Sequence, residues 1–162
     1  MEIIPIVNKQ DEIIWYKPRK EITSDDIYRV SALWIENSHW EVLMAQRGFM
    51  KRNGPGRWWA AAVGTVEKWE TYEGSVYRES EEEIGLRGYS FQKDIKLFRN
   101  KWDTRFFCQW YTLMLDRNIS EFVLEKPEVE SIRWFSKEEL RNILHHSPAV
   151  LVGKDFIEKR LS

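Results

Sequence analysis

Gly64-Thr65-Val66-Glu67-Lys68-Trp69-Glu70-Thr71-Tyr72-Glu73-Gly74-Ser75-Val76-Tyr77-Arg78-Glu79-Ser80-Glu81-Glu82-Glu83-Ile84-Gly85-Leu86 holds most of what this chain says about itself. From Tyr72 to Ile84 only Gly74 interrupts good helix formers, and Gly85 offers a left-handed stop, so the spacing predicts a helix over 72–84. Seven glutamates lie between positions 67 and 83, against Lys68 and Arg78 alone. Charge of that density repels itself unless something neutralises it. A solvated acidic face is the commoner meaning of such a run. On a helix, however, Glu79, Glu82 and Glu83 stand at i, i+3 and i+4 and share one face. Oxygen donors without cysteine or clustered histidine suit Mg²⁺ or Mn²⁺, and magnesium commonly completes its shell with substrate phosphate oxygens.

Counting forward from Gly64, Glu70 comes six residues on, Arg78 and Glu79 follow eight and nine later, then come Glu82-Glu83 and Gly85-Leu86. This pattern resembles the Nudix box, whose fixed positions are matched here by Gly64, Glu70, Arg78, Glu79, Glu82, Glu83 and Gly85. The resemblance implies an α+β fold, an α/β/α sandwich with a mixed sheet, over a single domain spanning 1–162 with the box at 64–86. It implies that Glu79, Glu82 and Glu83 bind Mg²⁺ or Mn²⁺, and that Glu79 or a later acid such as Glu82 activates water. Arg78 reads as an orienter that holds Glu70 or a neighbouring carboxylate by paired hydrogen bonds without touching substrate. A further metal ligand from a loop outside the box is Glu128, six residues before Trp134, with Glu130 and Asp103 behind it. Two positions depart from the pattern. Ser80 stands where an aliphatic residue is usual, which should cost packing, and Trp69 replaces a common glycine and should reshape the loop before the helix.

Outward from the box, Ile3–Val7 and Ile13–Lys17 predict a hairpin within an N-terminal extension of about residues 1–20. Ile27–Ile35 and Glu41–Gln46 predict a second hairpin, and Trp58–Val66 one buried strand after a loop over Gly48–Gly56. Beyond the box, Tyr89–Phe98, Phe106–Leu115 and Ser131–Phe135 read as strands. Ser136 with Glu139 is a capping box for a helix to about His145, and a last helix follows Pro148. Strands around two or three helices, with no repeat or linker, point to one layered α/β unit.

Composition narrows the function. Twenty-five basic and 26 acidic side chains leave a net charge of −1, which excludes a broadly basic nucleic-acid surface. The one cysteine, Cys108, cannot close an internal bridge and reads as inert packing in an apolar strand. The start Met1-Glu2-Ile3-Ile4-Pro5 is unlike a signal peptide and no apolar run is long enough to span a membrane, so a cytoplasmic protein is expected. Arg47, Lys51, Arg52 and Arg57 border the loop before the box strand and could hold substrate phosphates, or be ordinary loop charge. The partner expected is a small organic diphosphate, and the apolar N-terminal strands could pair in a homodimer.

Val7-Asn8-Lys9-Gln10-Asp11-Glu12, Pro18-Arg19 and Gln46-Arg47 look like the Nudix subgroup related to isopentenyl diphosphate isomerase. The isomerase cysteine before the box glycine is Val63 here, its strand acids are Thr104 and Phe106, and its metal histidine is Tyr28. A valine has no proton to give a double bond. The expectation is therefore a hydrolase of diphosphate linkages; a non-catalytic diphosphate-binding module and isomerase chemistry are the alternatives.

Overall fold

The structure, a computed structural model, describes residues 1–162. β1 (Ile3–Val7) and β2 (Ile13–Pro18) pair antiparallel as a separate ribbon. Seven further strands form one mixed sheet: β3 (Tyr28–Glu36), β4 (Val42–Arg47), β5 (Trp58–Ala60), β6 (Ala62–Thr65), β7 (Gln92–Asn100), β8 (Arg105–Met114) and β9 (Val129–Phe135). Three helices complete the chain: α1 (Tyr72–Ile84), α2 (Lys137–His146) and α3 (Lys154–Leu161). None is long and apolar enough to cross a membrane.

The layers follow from the alternation of side chains along β3. Val30, Ala32 and Trp34 face a core shared with Leu140 of α2 and Phe156, Ile157 and Leu161 of α3. Leu33 and Ile35 point the other way, into a core closed by Val76 and Ile84 of α1. Both faces of β3 are thus covered, which is why its sequence is almost continuously apolar and why it can run parallel to β8 at the sheet centre. Each fully buried large aliphatic side chain contributes roughly 1.5–3 kcal/mol to this arrangement.

The expected second hairpin holds only at its tip, where Ile35 pairs with Leu43 and Glu36 with Val42. Beyond that point β3 and β4 splay apart, and residues 58–65 wedge between them. The predicted single strand over 58–66 accordingly breaks at Ala61, because β5 pairs with β4 whereas β6 pairs with β3. β7 begins at Gln92 rather than Tyr89, and α3 at Lys154 after a single 3₁₀ turn over Pro148–Val150.

The 72–84 helix forms as predicted. Thr71 caps its first turn by accepting from the Gly74 amide at 2.9 Å, an arrangement typically contributing ~1 kcal/mol. Gly85 ends it at φ +68°, and a Cβ there would lie 2.9 Å from Cβ of Val123, so only glycine fits. The 123–125 segment crosses this end, with the Val123 and Glu125 amides donating to the carbonyls of Ile84 and Glu83. The loop leading to β9 is thereby tied to the same helix that carries the glutamates.

Candidate functional site

The acidic face of α1 lies against β6, where the sheet comes closest to the helix. Ser31 and Ser75 meet there through their hydroxyls at 3.0 Å, both fully buried, and small side chains permit that approach. Ser80 is also fully buried, and its hydroxyl donates back to the Val76 carbonyl at 2.7 Å. The expected packing cost at Ser80 is therefore tempered by a satisfied hydroxyl rather than by filled volume.

Close approach leaves the Glu79 carboxylate lying across Gly64, where a Cβ would sit 2.1 Å from its carboxyl carbon. Glu83 is the more deeply buried of the two, at 8% exposed, and its Oε1 accepts from the Val63 amide at 3.3 Å. Burial pushes the carboxyl of Glu83 well up, and the adjacent Glu79 charge adds to that. Burial raises Glu79 likewise, although Arg78 opposes it. Two adjoining carboxylates, largely withdrawn from water, are thus costly to hold ionised together, a cost that a cation between them would lower.

Arg78 engages four acids of the segment. Its guanidinium bonds Glu70 in paired fashion, Nε to Oε2 at 2.7 Å and Nη2 to Oε1 at 3.0 Å. It also reaches Glu67 at 3.1 Å, Glu79 at 3.1 Å and Glu82 at 3.2 Å. The bond with Glu70 raises the Arg78 pKa and holds the guanidinium protonated. Burial would raise Glu70, but the Arg78 contacts and the Glu67 amide outweigh it and hold that carboxyl low.

Glu82, at 50% side-chain exposure, meets Arg78 Nη1 at 3.2 Å, the same nitrogen that Glu79 meets at 3.1 Å, so it lies beside Glu79 at the solvent edge while Glu83 is buried. No three His, Cys, Asp or Glu side chains converge as a ready-made cage. The guanidinium one turn earlier on the helix offers Glu82 a partner at i−4, which the spacing of acids alone does not reveal.

Glu128 lies on the loop before β9, in the turn whose Glu125 amide bonds the Glu83 carbonyl at 3.0 Å. Its carbonyl accepts from the Gly48 amide at 3.0 Å, and its carboxylate is ion-paired with Lys51. Arg47, at the end of β4, is buried against the Trp59 ring at 4.1 Å and donates from Nε to the Asn53 carbonyl at 2.8 Å. Burial lowers the pKa of Arg47, while the charges of Glu83 and Glu128 act in the other direction, so its guanidinium lies within electrostatic reach of both. Arg57 instead bonds the Leu151 carbonyl at 2.7 Å and anchors the C-terminal segment. Arg52 is exposed to solvent. Asp103 accepts from Thr104 in the β7–β8 turn, and Glu130 sits on β9.

Two further residues shape the approach to the helix, Asp11 without any legible signal and Trp69 contrary to the expected reshaping of its loop. Asp11, at the tip of the N-terminal hairpin, accepts from Arg29 at 2.7 Å, Lys96 at 2.7 Å and the Tyr72 hydroxyl at 2.8 Å, bolting the hairpin to the first residue of α1. Trp69 keeps the left-handed conformation that a glycine would adopt without cost, at φ +74°, so the loop before the helix bends despite the substitution. The ring stands 88% exposed, with the Lys68 ammonium 4.9 Å away and the same distance from Tyr16.

The donor set fits a hard divalent cation. Glu79 and Glu83 supply only oxygen, the missing side chain at Gly64 leaves the space the Glu79 carboxylate occupies, and Glu83 has only the Val63 amide as a donor partner. A family profile for the NUDIX domain matches residues 27–157. A Nudix hydrolase of Pseudomonas aeruginosa is 28% identical over 138 residues, covering 85% of this chain and 80% of its own. One from Escherichia coli is 26% identical over 140 residues, covering 86% and 76%. Among solved structures, DR0079 from Deinococcus radiodurans superposes with a TM-score of 0.78 at 20% identity, covering 90% of each chain. The NUDIX domain of Shewanella oneidensis NrtR, solved with ADP ribose, gives 0.62 at 18% identity, covering 83% of this chain and 88% of that one.

Proposed function

The chain belongs to the NUDIX domain family and is a Nudix pyrophosphohydrolase; from that premise we propose that it cleaves a nucleoside diphosphate-X or related small organic diphosphate by Mg²⁺- or Mn²⁺-dependent attack of water on phosphorus. The observation that carries this reading is the buried Glu79–Glu83 pair, whose joint ionisation burial opposes and a divalent cation would favour. When bound, the ion supplies charge neutralisation at the phosphoryl oxygens. Glu79 and Glu83 would hold it, with Glu82 and Glu128 as the further carboxylate candidates. Arg78 and Glu70 keep the α1 face and its preceding loop in register. Glu79 or Glu82 accepts the proton of the attacking water. Arg47 and Lys51 are the cations that face the carboxylates and would steady the diphosphate; Arg52 and Arg57 remain weaker candidates for the same task.

Isomerase-type proton transfer to carbon has little support, because Val63 occupies the strand position beside the carboxylates, where an acid would be required. The isomerase-related branch is favoured by the N-terminal hairpin, which Asp11 joins to the box helix. A domain over the whole of 1–162 and a cytoplasmic setting belong to the same reading. So does self-association through the N-terminal ribbon, supported by the exposed run Ile13, Ile14, Trp15 and Tyr16 on β2; sedimentation equilibrium would return either the 19.6 kDa chain or twice that mass.

The test is a panel of nucleotide, sugar, coenzyme and isoprenoid diphosphates with Mg²⁺ in oxygen-18 water. One product carrying a single heavy oxygen on phosphorus is expected. Tight binding of a diphosphate without turnover across the panel would favour the non-catalytic module instead.

A further inference from the structure

Lys51 and Glu128 come from different loops, and their backbones are pressed together. A Cβ on Gly48 would lie 1.7 Å from the Pro127 carbonyl oxygen, so the β4–β5 loop and the loop before β9 touch without intervening side chains. The Gly48 amide donating to the Glu128 carbonyl fastens the contact. From those two backbones the ammonium and the carboxylate meet directly, at 30% and 41% side-chain exposure. The pair is tied to the buried carboxylates through the backbone, since the 125–129 turn that carries Glu128 donates from the Glu125 amide to the Glu83 carbonyl at 3.0 Å and closes with the Val129 amide on the Glu125 carbonyl at 2.9 Å. The Lys51 charge also acts on Glu83.

An acid in contact with an ammonium is a poor metal ligand until that ammonium leaves it. A phosphate group carries more charge than a carboxylate and offers several acceptor oxygens, so it competes well for Lys51. We propose that Lys51 is a positioning residue, which holds Glu128 off the divalent ion in the ligand-free protein and releases it to the ion when a substrate phosphate takes the ammonium. The inference rests on the reading of Glu79 and Glu83 as the metal pair. Metal and diphosphate then tighten one another, and by linkage the coupling is reciprocal, typically ~5–150-fold. Metal alone would meet two inward carboxylates; metal with substrate would meet a third.

Mn²⁺ titrations followed by the electron paramagnetic resonance of the free ion test this without any turnover. Four proteins are compared in the absence of substrate: the wild type, Lys51→Met, Glu128→Gln and the double variant, each checked by circular dichroism for an unchanged fold. Lys51→Met is expected to bind Mn²⁺ about 5-fold tighter or more, whereas Glu128→Gln alone changes affinity less than about 2-fold. The double variant should lose the gain. A gain that survives in the double variant is simple charge removal and overturns the proposal, as does an equal or weaker affinity in Lys51→Met. Methylenediphosphonate, an unhydrolysable diphosphate, should tighten Mn²⁺ in the wild type more than in Lys51→Met; equal tightening overturns the handover. Failure of the underlying metal reading looks different, because then none of the four proteins takes up Mn²⁺.

Discussion

The carboxyl of Glu79 occupies the space that a side chain at Gly64 would need, its carbon lying 2.1 Å from where a Cβ would stand. Gly64 has no left-handed torsion to justify it, so its role is steric: it gives Glu79 a place to lie flat on β6. Gly64→Ala should push the Glu79 carboxylate off that position while leaving both cores untouched. Misplacement of about 1 Å at a reacting centre costs roughly 10²-fold. The expected result is a kcat lower by about that factor with an unchanged circular dichroism spectrum, and wild-type turnover in the variant would contradict it.

Glu83 and Glu79 are held side by side in a buried place, an arrangement that opposes folding in the absence of a cation. Glu83→Gln keeps the shape and the contact with the Val63 amide while removing one of the charges. The melting temperature of the metal-free variant should therefore exceed that of the metal-free wild type, with turnover abolished. Added Mg²⁺ should raise the melting temperature of the wild type and leave the variant almost unmoved. Differential scanning calorimetry with and without EDTA measures both.

Arg78 serves four acids at once, and no nearby base can replace it. Arg78→Met leaves Glu67, Glu70, Glu79 and Glu82 facing one another, and at its partial exposure the cost should be about 1–3 kcal/mol. Arg78→Lys should recover only part of this, since a single ammonium cannot reproduce the paired bonds to Glu70. Urea denaturation of the three proteins gives the ranking; equal midpoints would remove Arg78 as the organiser of the segment.

Asp11 ties the N-terminal hairpin to α1, and its acidity carries a pH signature. Burial would raise its pKa, but the bonds from Lys96, Arg29 and Tyr72 outweigh that and hold it below the usual carboxylate range. A lowered folded-state pKa means stability that is fully present above about pH 4, the unfolded value, and lost as pH falls through the folded one. Asp11→Asn should lower the melting temperature at pH 7 and flatten its decline between about pH 4 and pH 2. A variant that melts parallel to the wild type at every pH would show that the Asp11 bonds contribute nothing.

Much of this arrangement is legible in the chain. The α1 boundaries follow from the run of helix formers from Tyr72 that Gly85 stops, and the mixed layered fold follows from strand periodicity around the helices. The splaying of β3 and β4 is not legible, because the apolar run over 58–66 carries no mark at Ala61 where its neighbour changes. Nor can spacing say that Arg78 bridges Glu79 and Glu82 while Glu83 is buried against the Val63 amide: i+3 and i+4 positions share a face, but the cation and the strand beside it decide which acid is exposed. Asp11 was invisible because its partners Arg29, Tyr72 and Lys96 are distant in sequence, so nothing local distinguishes it from a hairpin-turn aspartate. Glu128 could be proposed from its place before the last strand, whereas its engagement by Lys51 depends on two loops that only the folded chain brings together.

The claim most exposed to test is that Glu79 and Glu83 together hold the divalent ion on which hydrolysis depends. Turnover of the best diphosphate substrate, measured against Mg²⁺ concentration in the wild type, Glu79→Gln and Glu83→Gln, tests it directly. A saturable Mg²⁺ requirement in the wild type, with activity lower by at least about 10³-fold in both variants, is the predicted result. Turnover that persists in EDTA, or that survives in both variants, would contradict it.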